Sequence, residues 1–192
     1  KMPGVYKVVT HKDVKGRNRI NGLVMFPEDT LADGWERPIL CDDKVYQYGD
    51  AIAIVCADTV EQAEAAVDKV KVELEELPAY MNALDAMADD AIEIYPGTPN
   101  VYYHQPLIKG EDTKEIFARA AHVVEGKYYL QRQPHLFFEP DCGFAYTDED
   151  GRLTIHSKSI ALYLHAAMIA EGLGVDEEKL RMVQNWTGGT FG

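Results

Sequence analysis

The spacing of apolar and polar positions changes several times along the chain, and each change marks an element. Val5, Val8 and Val9 supply the apolar side of a short strand, and the polar, glycine-containing stretch from Asp13 to Asn21 reads as a loop. Between Leu23 and Leu40 the turn formers Pro27, Asp33, Gly34 and Pro38 predict irregular backbone. Val45 to Tyr48 leads into a turn at Gly49-Asp50. Ala51 to Ala57, A-I-A-I-V-C-A, is a short apolar run of the kind a buried strand shows. Asp58 or Thr59 then caps a helix, with Glu61 or Gln62 placed to complete a capping box. Ala63, Ala66, Val67 and Val70 fall on one face of that helix. From Val70 the period drops to two. Val70, Val72 and Leu74 alternate with Lys71, Glu73 and Glu75, the pattern of a half-buried strand, until Pro78 ends it. Residues 51–77 therefore read as strand, helix, strand.

The pattern is weaker from 82 to 105, where Asp89-Asp90 and Pro96-Gly97-Thr98-Pro99-Asn100 mark a boundary or a long connection. Asp112 with Glu115 opens a second helix whose buried face is Ile116, Phe117 and Ala120. Val123 to Leu130 reads as a strand. Gly143–Tyr146 and Leu153–Ile155 flank the turn-rich Asp148-Glu149-Asp150-Gly151 as a hairpin. Ser157 or Ser159 caps a helix reaching about Glu171, where Gly172 and Gly174 offer a left-handed terminus. Leu180, Met182 and Val183 form a last strand, which delivers the chain into W-T-G-G-T-F-G, Trp186 to Gly192. Strands dominate, helices are interspersed, and there is no strict alternation, so the expected class is α+β.

Composition narrows the function classes. The 192 residues are 46% apolar and 27% charged, ordinary for a globular protein, with a formal charge of −13. That charge argues against nucleic acid and anionic membranes as partners, because phosphate contacts need a surplus of Lys and Arg. No apolar run approaches the roughly 18 residues of a membrane span, and no signal-peptide pattern opens the chain. The expected location is the cytoplasm. Cys41, Cys56 and Cys142 are widely spaced with no C-x-x-C, which predicts buried, reduced thiols.

Candidate chemistry sits in few places. Gly188-Gly189-Thr190-Phe191-Gly192 follows a strand directly, and such a loop exposes several peptide N–H groups to one anion or oxo group. An ordinary glycine turn is the alternative. His135, Glu139 and Asp141 include an H-x-x-x-E spacing, but Pro134 and Pro140 break the helix that would align it. They read as residues positioning a loop or ligand, with a metal site as the alternative. Glu73, Glu75 and Glu76, and Asp148, Glu149 and Asp150, read as solvated faces and turns. No nucleophile or Ser/His/Asp arrangement stands out.

Several stretches match one family in order. Pro3-Gly4-Val5 with Val8-Val9-Thr10 and Asp13-Val14, then Val45-Tyr46-Gln47-Tyr48-Gly49-Asp50, Ala63 with Ala66, and Val72 to Pro78 resemble the "hammerhead" domain of the xanthine dehydrogenase and aldehyde oxidoreductase family. Lys109 to Asp112, Phe117-Ala118, Val123 to Gly126, Gln133-Pro134-His135 with Glu139-Pro140, Gly151 to Thr154, Leu173 to Val175 and Gly188 to Gly192 resemble the start of its molybdenum-cofactor-binding region. The details are most similar to the branch found in sulfate-reducing bacteria.

The resemblance implies a hammerhead domain with linker over 1–98 and the first part of a cofactor-binding domain over 99–192, within a far longer polypeptide. It implies Gly188, Gly189, Thr190, Phe191 and Gly192 as cofactor-binding residues, with the Phe191 backbone near the molybdenum ligands and no metal ligand in this stretch. The implied activity is oxidation of aldehydes to carboxylic acids with water-derived oxygen at a molybdopterin centre, with electrons passing to iron–sulfur clusters and an external acceptor. The pterin is expected in its cytosine dinucleotide form, and the two 2Fe-2S clusters and a general-base glutamate are expected outside residues 1–192. A homodimer of the full-length protein is implied as well. Purine-oxidising relatives carry Ser/Thr-x-Gln where this chain has Ser157-Lys158-Ser159-Ile160, which favours aldehydes. The alternative is a non-catalytic scaffold that packs against cluster domains or a dimer partner. His135 and Glu139 fit the family pattern as supporting residues.

Overall fold

The computed structural model describes residues 2–20, 36–101, 104–140 and 142–189. Val5–Val9 (β1) pairs antiparallel with Ile54–Ala57 (β2), with a register shift between Val5 and Lys7. The N–H of Asp58 donates to the carbonyl of Gly4 at 2.8 Å and closes the end of the pair. Val60–Val67 (α1) follows at once. The Thr59 hydroxyl accepts from the N–H of Gln62, and the Gln62 side chain accepts from the N–H of Thr59, so the capping box is built as the sequence predicts. Ala66 is the residue this helix buries, while Val67 and Val70 stay exposed.

Two short helices, Ala83–Ala86 (α2) and Thr113–Arg119 (α3), lead to a second unit. In it Gly143–Thr147 (β3) and Leu153–Ser157 (β4) pair antiparallel, and β4 pairs in parallel with Leu180–Gln184 (β5). The helix Leu162–Leu173 (α4) makes the connection from β4 to β5. Gly174 closes α4 in the left-handed region, at φ 67° and ψ 41°, which glycine adopts without a Cβ penalty. The class is α+β, with a two-stranded and a three-stranded sheet among the described residues.

A loop joins the two units by completing α4. The N–H of Gly16 donates to the carbonyl of Gly172 at 3.2 Å and that of Arg17 to the carbonyl of Glu171 at 3.0 Å. Helix ends leave such carbonyls without partners, and this loop supplies them. The Asn18 amide brackets the peptide of Leu40, accepting from its N–H at 3.0 Å and donating to its carbonyl at 2.8 Å. Leu40 is consequently almost fully buried. An apolar cavity of about 950 Å³ lies between the units, lined by Val9, Ile39 and Ile54 on one side and Ile155, Ile169 and Met182 on the other.

Several expectations are corrected. The strand expected over Ala51–Ala57 is shorter and alternates between exposed and half-buried residues, because β1 is its one ladder partner among the described residues. The second strand of the strand-helix-strand unit, Val70 to Leu77, forms no ladder, and Val72 and Leu74 are exposed. The same holds for Val123 to Leu130. Alternation announces a face to be covered, but a strand also needs a neighbour to take its N–H and C=O groups. Asp112 caps α3 through the N–H of Lys114, yet Ile116 and Phe117 are exposed rather than buried. Neither Ser157 nor Ser159 is the N-cap of α4, which is Ala161; the Ser159 hydroxyl accepts from the N–H of Ala161 instead, at 3.1 Å. All three cysteines are free, but Cys56 and Cys142 are exposed and Cys41 is half-buried. Most of the irregular stretch from Leu23 to Leu40 lies outside the described residues.

Candidate functional site

The parallel pair of β4 and β5 creates one chemically distinctive edge. Pairing continues past β5, with the N–H of Asn185 donating to the carbonyl of Ser157 at 3.2 Å. Lys158 therefore leaves β4, and Trp186-Thr187-Gly188-Gly189 leaves β5, at the same carboxyl end of the pair. In sheets built from β-α-β units, ligands bind at that end, where loops diverge and peptide groups are unpaired.

The glycine loop is tied down there by a residue far away in sequence. A Glu139 carboxylate oxygen accepts the N–H of Gly188. The Lys158 ammonium stands 3.7 Å from the same oxygen and 5.0 Å from the centre of the Phe137 ring. Both charged side chains are about three-quarters withdrawn from solvent, at 26% exposure for Glu139 and 21% for Lys158. The Gln184 amide donates to the Thr187 hydroxyl at 3.3 Å, bracing the start of the loop. Gly189 sits at φ 142°, a region that side-chain-bearing residues rarely enter.

Of the residues expected to contact a cofactor, Gly188 and Gly189 are placed, exposed at the carboxyl edge; Thr190, Phe191 and Gly192 lie outside the described residues. Of the His135, Glu139 and Asp141 set, Glu139 reaches the loop, His135 is exposed, and Asp141 lies outside the described residues. Cys41 is not an activated thiol, since burial and the neighbouring Asp50 and Asp42 push its pKa up.

In the acidic turn at 148–150, Glu149 and Asp150 are exposed as the composition predicts, but Asp148 is not. Asp148 is 8% exposed and acts as a hub. It accepts the N–H groups of Asp150 and Arg152 at 3.0 and 2.9 Å, the Thr154 hydroxyl at 2.8 Å, and pairs with Arg181 at 2.9 Å. Arg181 also reaches Asp150, at 2.7 Å. This network locks the hairpin to β5 on the strands that carry the site. The D-x-D-G turn spacing gives the local half of it; the partner on β5 leaves no signal near residue 148.

Comparison with known proteins gives the edge its context. The family model described as "Molybdopterin cofactor-binding domain" matches residues 94–192, and that described as "Aldehyde oxidase and xanthine dehydrogenase, a/b hammerhead domain" matches 1–78. The chain belongs to the xanthine dehydrogenase and aldehyde oxidoreductase family. It is 61% identical over 191 residues to an aldehyde oxidoreductase of Megalodesulfovibrio gigas, covering 100% of this chain and 21% of that protein. It is 35% identical over 192 residues to a probable xanthine dehydrogenase component of Bacillus subtilis, covering 100% of this chain and 24% of that protein. The chain thus spans about a fifth to a quarter of these curated relatives. The crystal structure of the aldehyde oxidoreductase from Desulfovibrio desulfuricans superposes with a TM-score of 0.89 at 64% identity, over 100% of this chain and 21% of that one.

The matched cofactor-binding region includes the glycine loop, and the geometry suits such a group. Successive glycines leave the peptide edge bare, Gly189 turns in a way that requires glycine, and a lysine stands beside the carboxylate that holds Gly188.

Proposed function

We propose that this chain is the hammerhead and first cofactor-binding part of a molybdenum hydroxylase that oxidises aldehydes to carboxylic acids. The reading is carried by one observation, the 61% identity to an aldehyde oxidoreductase along the whole chain. The domains divide at 98/99, shortly after the match to the cofactor-binding model begins at residue 94. Gly188, Gly189, Thr190, Phe191 and Gly192 would form the loop that holds the molybdopterin cofactor, with the main-chain N–H groups after Gly188 turned toward the anionic ligands of molybdenum. The cofactor, in its cytosine dinucleotide form, supplies the oxygen-transfer and two-electron chemistry. This chain's residues orient the cofactor and keep its ligand side free of side chains. The ring of Phe191 shields rather than reacts. The residues that would hold two 2Fe-2S clusters and supply the general base lie outside this stretch, and the electrons would pass on to an external acceptor. The protein works in the cytoplasm as a homodimer, and Ser157-Lys158-Ser159 in place of a Ser/Thr-x-Gln favours aldehydes over purines.

Gly189→Val in the full-length protein tests the loop assignment. A β-branched residue at φ 142° is strained and its Cβ crowds the cofactor side. We expect turnover to fall at least about a hundredfold, the scale of losing an electrostatic contact at a reacting centre. Unchanged turnover and molybdenum content would leave the loop a scaffold.

A packing role for the middle of the chain has its own support. Every described residue from 104 to 138 is exposed, including Leu107, Tyr128 and Phe138. Such a stretch gains little by itself and is suited to lie against another part of the complete protein or its dimer partner.

A further inference from the structure

We propose that Glu139 is the positioning residue of the glycine loop, using its carboxylate to hold the Gly188 amide so that the following amides, not this one, face the cofactor. The tether rests on geometry alone; its consequence for the cofactor rests on the function proposed above.

Different observations converge on it. The Glu139 carboxylate accepts the Gly188 N–H across 49 residues of sequence, joining an otherwise exposed segment to the end of β5. The two glycines are required for separate reasons. Gly189 is demanded by its backbone, at φ 142°, whereas Gly188 is not among the residues with positive φ. What forbids a side chain at 188 is Glu139: a Cβ there would lie 2.5 Å from the carboxylate oxygen and 2.8 Å from the Glu139 Cβ. The first glycine of the pair is therefore explained by the carboxylate, and the second by the turn.

Charge supplies the remaining argument. A bare carboxylate beside a loop that receives an anionic cofactor would repel it. Lys158 stands 3.7 Å from the carboxylate oxygen and rests against Phe137, so the acid is balanced and held in place. The carboxylate also takes one N–H out of contention. In this proposal the Gly188 amide serves the protein, and the amide of Gly189 is left for the ligand. Lys158 comes from the end of β4 and Gly188 from the loop after β5, so Glu139 fixes the loop against the strand pair itself.

The test uses the complete protein with its cofactor, and variants Glu139→Ala and Glu139→Gln. Hydrogen exchange of a peptide spanning 184–189 reads the Gly188 amide directly. Alanine should speed that exchange about tenfold, the scale of losing a hydrogen bond to a charged group. Glutamine, whose amide oxygen still accepts, should restore it to within about threefold of wild type. Turnover per bound molybdenum should fall in the alanine variant and recover in the glutamine variant. Exchange at wild-type rate in Glu139→Ala overturns the proposal. If the alanine variant fails to fold, Glu139→Asp, whose shorter side chain draws the carboxylate away from Gly188, replaces it: faster exchange supports the tether, and a wild-type rate contradicts it. If exchange responds as expected while the wild-type protein contains no molybdenum, the tether stands and the functional reading falls.

Discussion

Asp148 and Asp50 show how single carboxylates fix turns that carry larger parts of the molecule. Asp148 gathers two backbone amides, a threonine hydroxyl and Arg181 in a nearly buried position. Removing one partner from a buried charged network leaves the others uncompensated. Asp148→Ala should destabilise the β3–β4–β5 unit by about 3 kcal/mol, read as lost exchange protection across 143–157. Asp50 is similarly placed, pairing with Arg37 at 2.6 Å and accepting the amides of Tyr46 and Gln47 at 2.9 and 3.1 Å. Burial pushes its pKa up, but the Arg37 guanidinium and the two amides outweigh this and hold it below the ordinary carboxylate range. A depressed folded pKa contributes stability that is complete above the unfolded value, about pH 4, and lost as pH falls through the folded one. Asp50→Asn should therefore weaken the 44–52 turn at pH 7, with the difference from wild type shrinking below about pH 4. A difference that grows on acidification would contradict the sign. The sequence signals the turns around both residues through Gly49-Asp50 and Asp150-Gly151. It could not show that Asp148 would meet Arg181 or that Asp50 would meet Arg37, because those two partners come from another strand and another loop.

At the scale of elements, legibility followed locality. The Thr59–Gln62 box, the β3–β4 hairpin and the left-handed Gly174 depend on neighbours a few residues away, and all form where the pattern puts them. Val70 to Leu77 and Val123 to Leu130 depend on a ladder partner, and neither has one among the described residues. The loop that docks on α4 is a further non-local element without a periodic signal. Gly16 makes it possible: a Cβ there would collide with the Glu171 carbonyl oxygen and lie 2.6 Å from the Gly174 nitrogen. Gly16→Ala should separate the loop from the helix end. The expected result is faster exchange in the last turn of α4, with α1 unaffected because it lies in the other unit. Equal exchange in both would mean that the contact does not hold the units together.

For the whole molecule, the sheet order explains why Lys158, Glu139 and the glycine loop gather at one edge. Parallel pairing of β4 and β5 through α4 brings Lys158 and the glycine loop to the same end, and Glu139 ties that end to the exposed middle segment. The glycine loop was visible in the sequence because three glycines in five residues after a strand are a local feature. The carboxylate that restrains it was visible only as one member of an H-x-x-x-E spacing. In the proposed function, the first half of the chain would contribute packing and the second half the ligand edge. The central claim is that this edge carries the molybdenum cofactor. A crystal structure of the complete, cofactor-loaded protein tests it most directly. The account predicts the main chain from Gly189 to Phe191 lying against the molybdenum ligands, with Gly188 turned to Glu139; a loop facing bulk solvent, with the cofactor bound elsewhere, would contradict it.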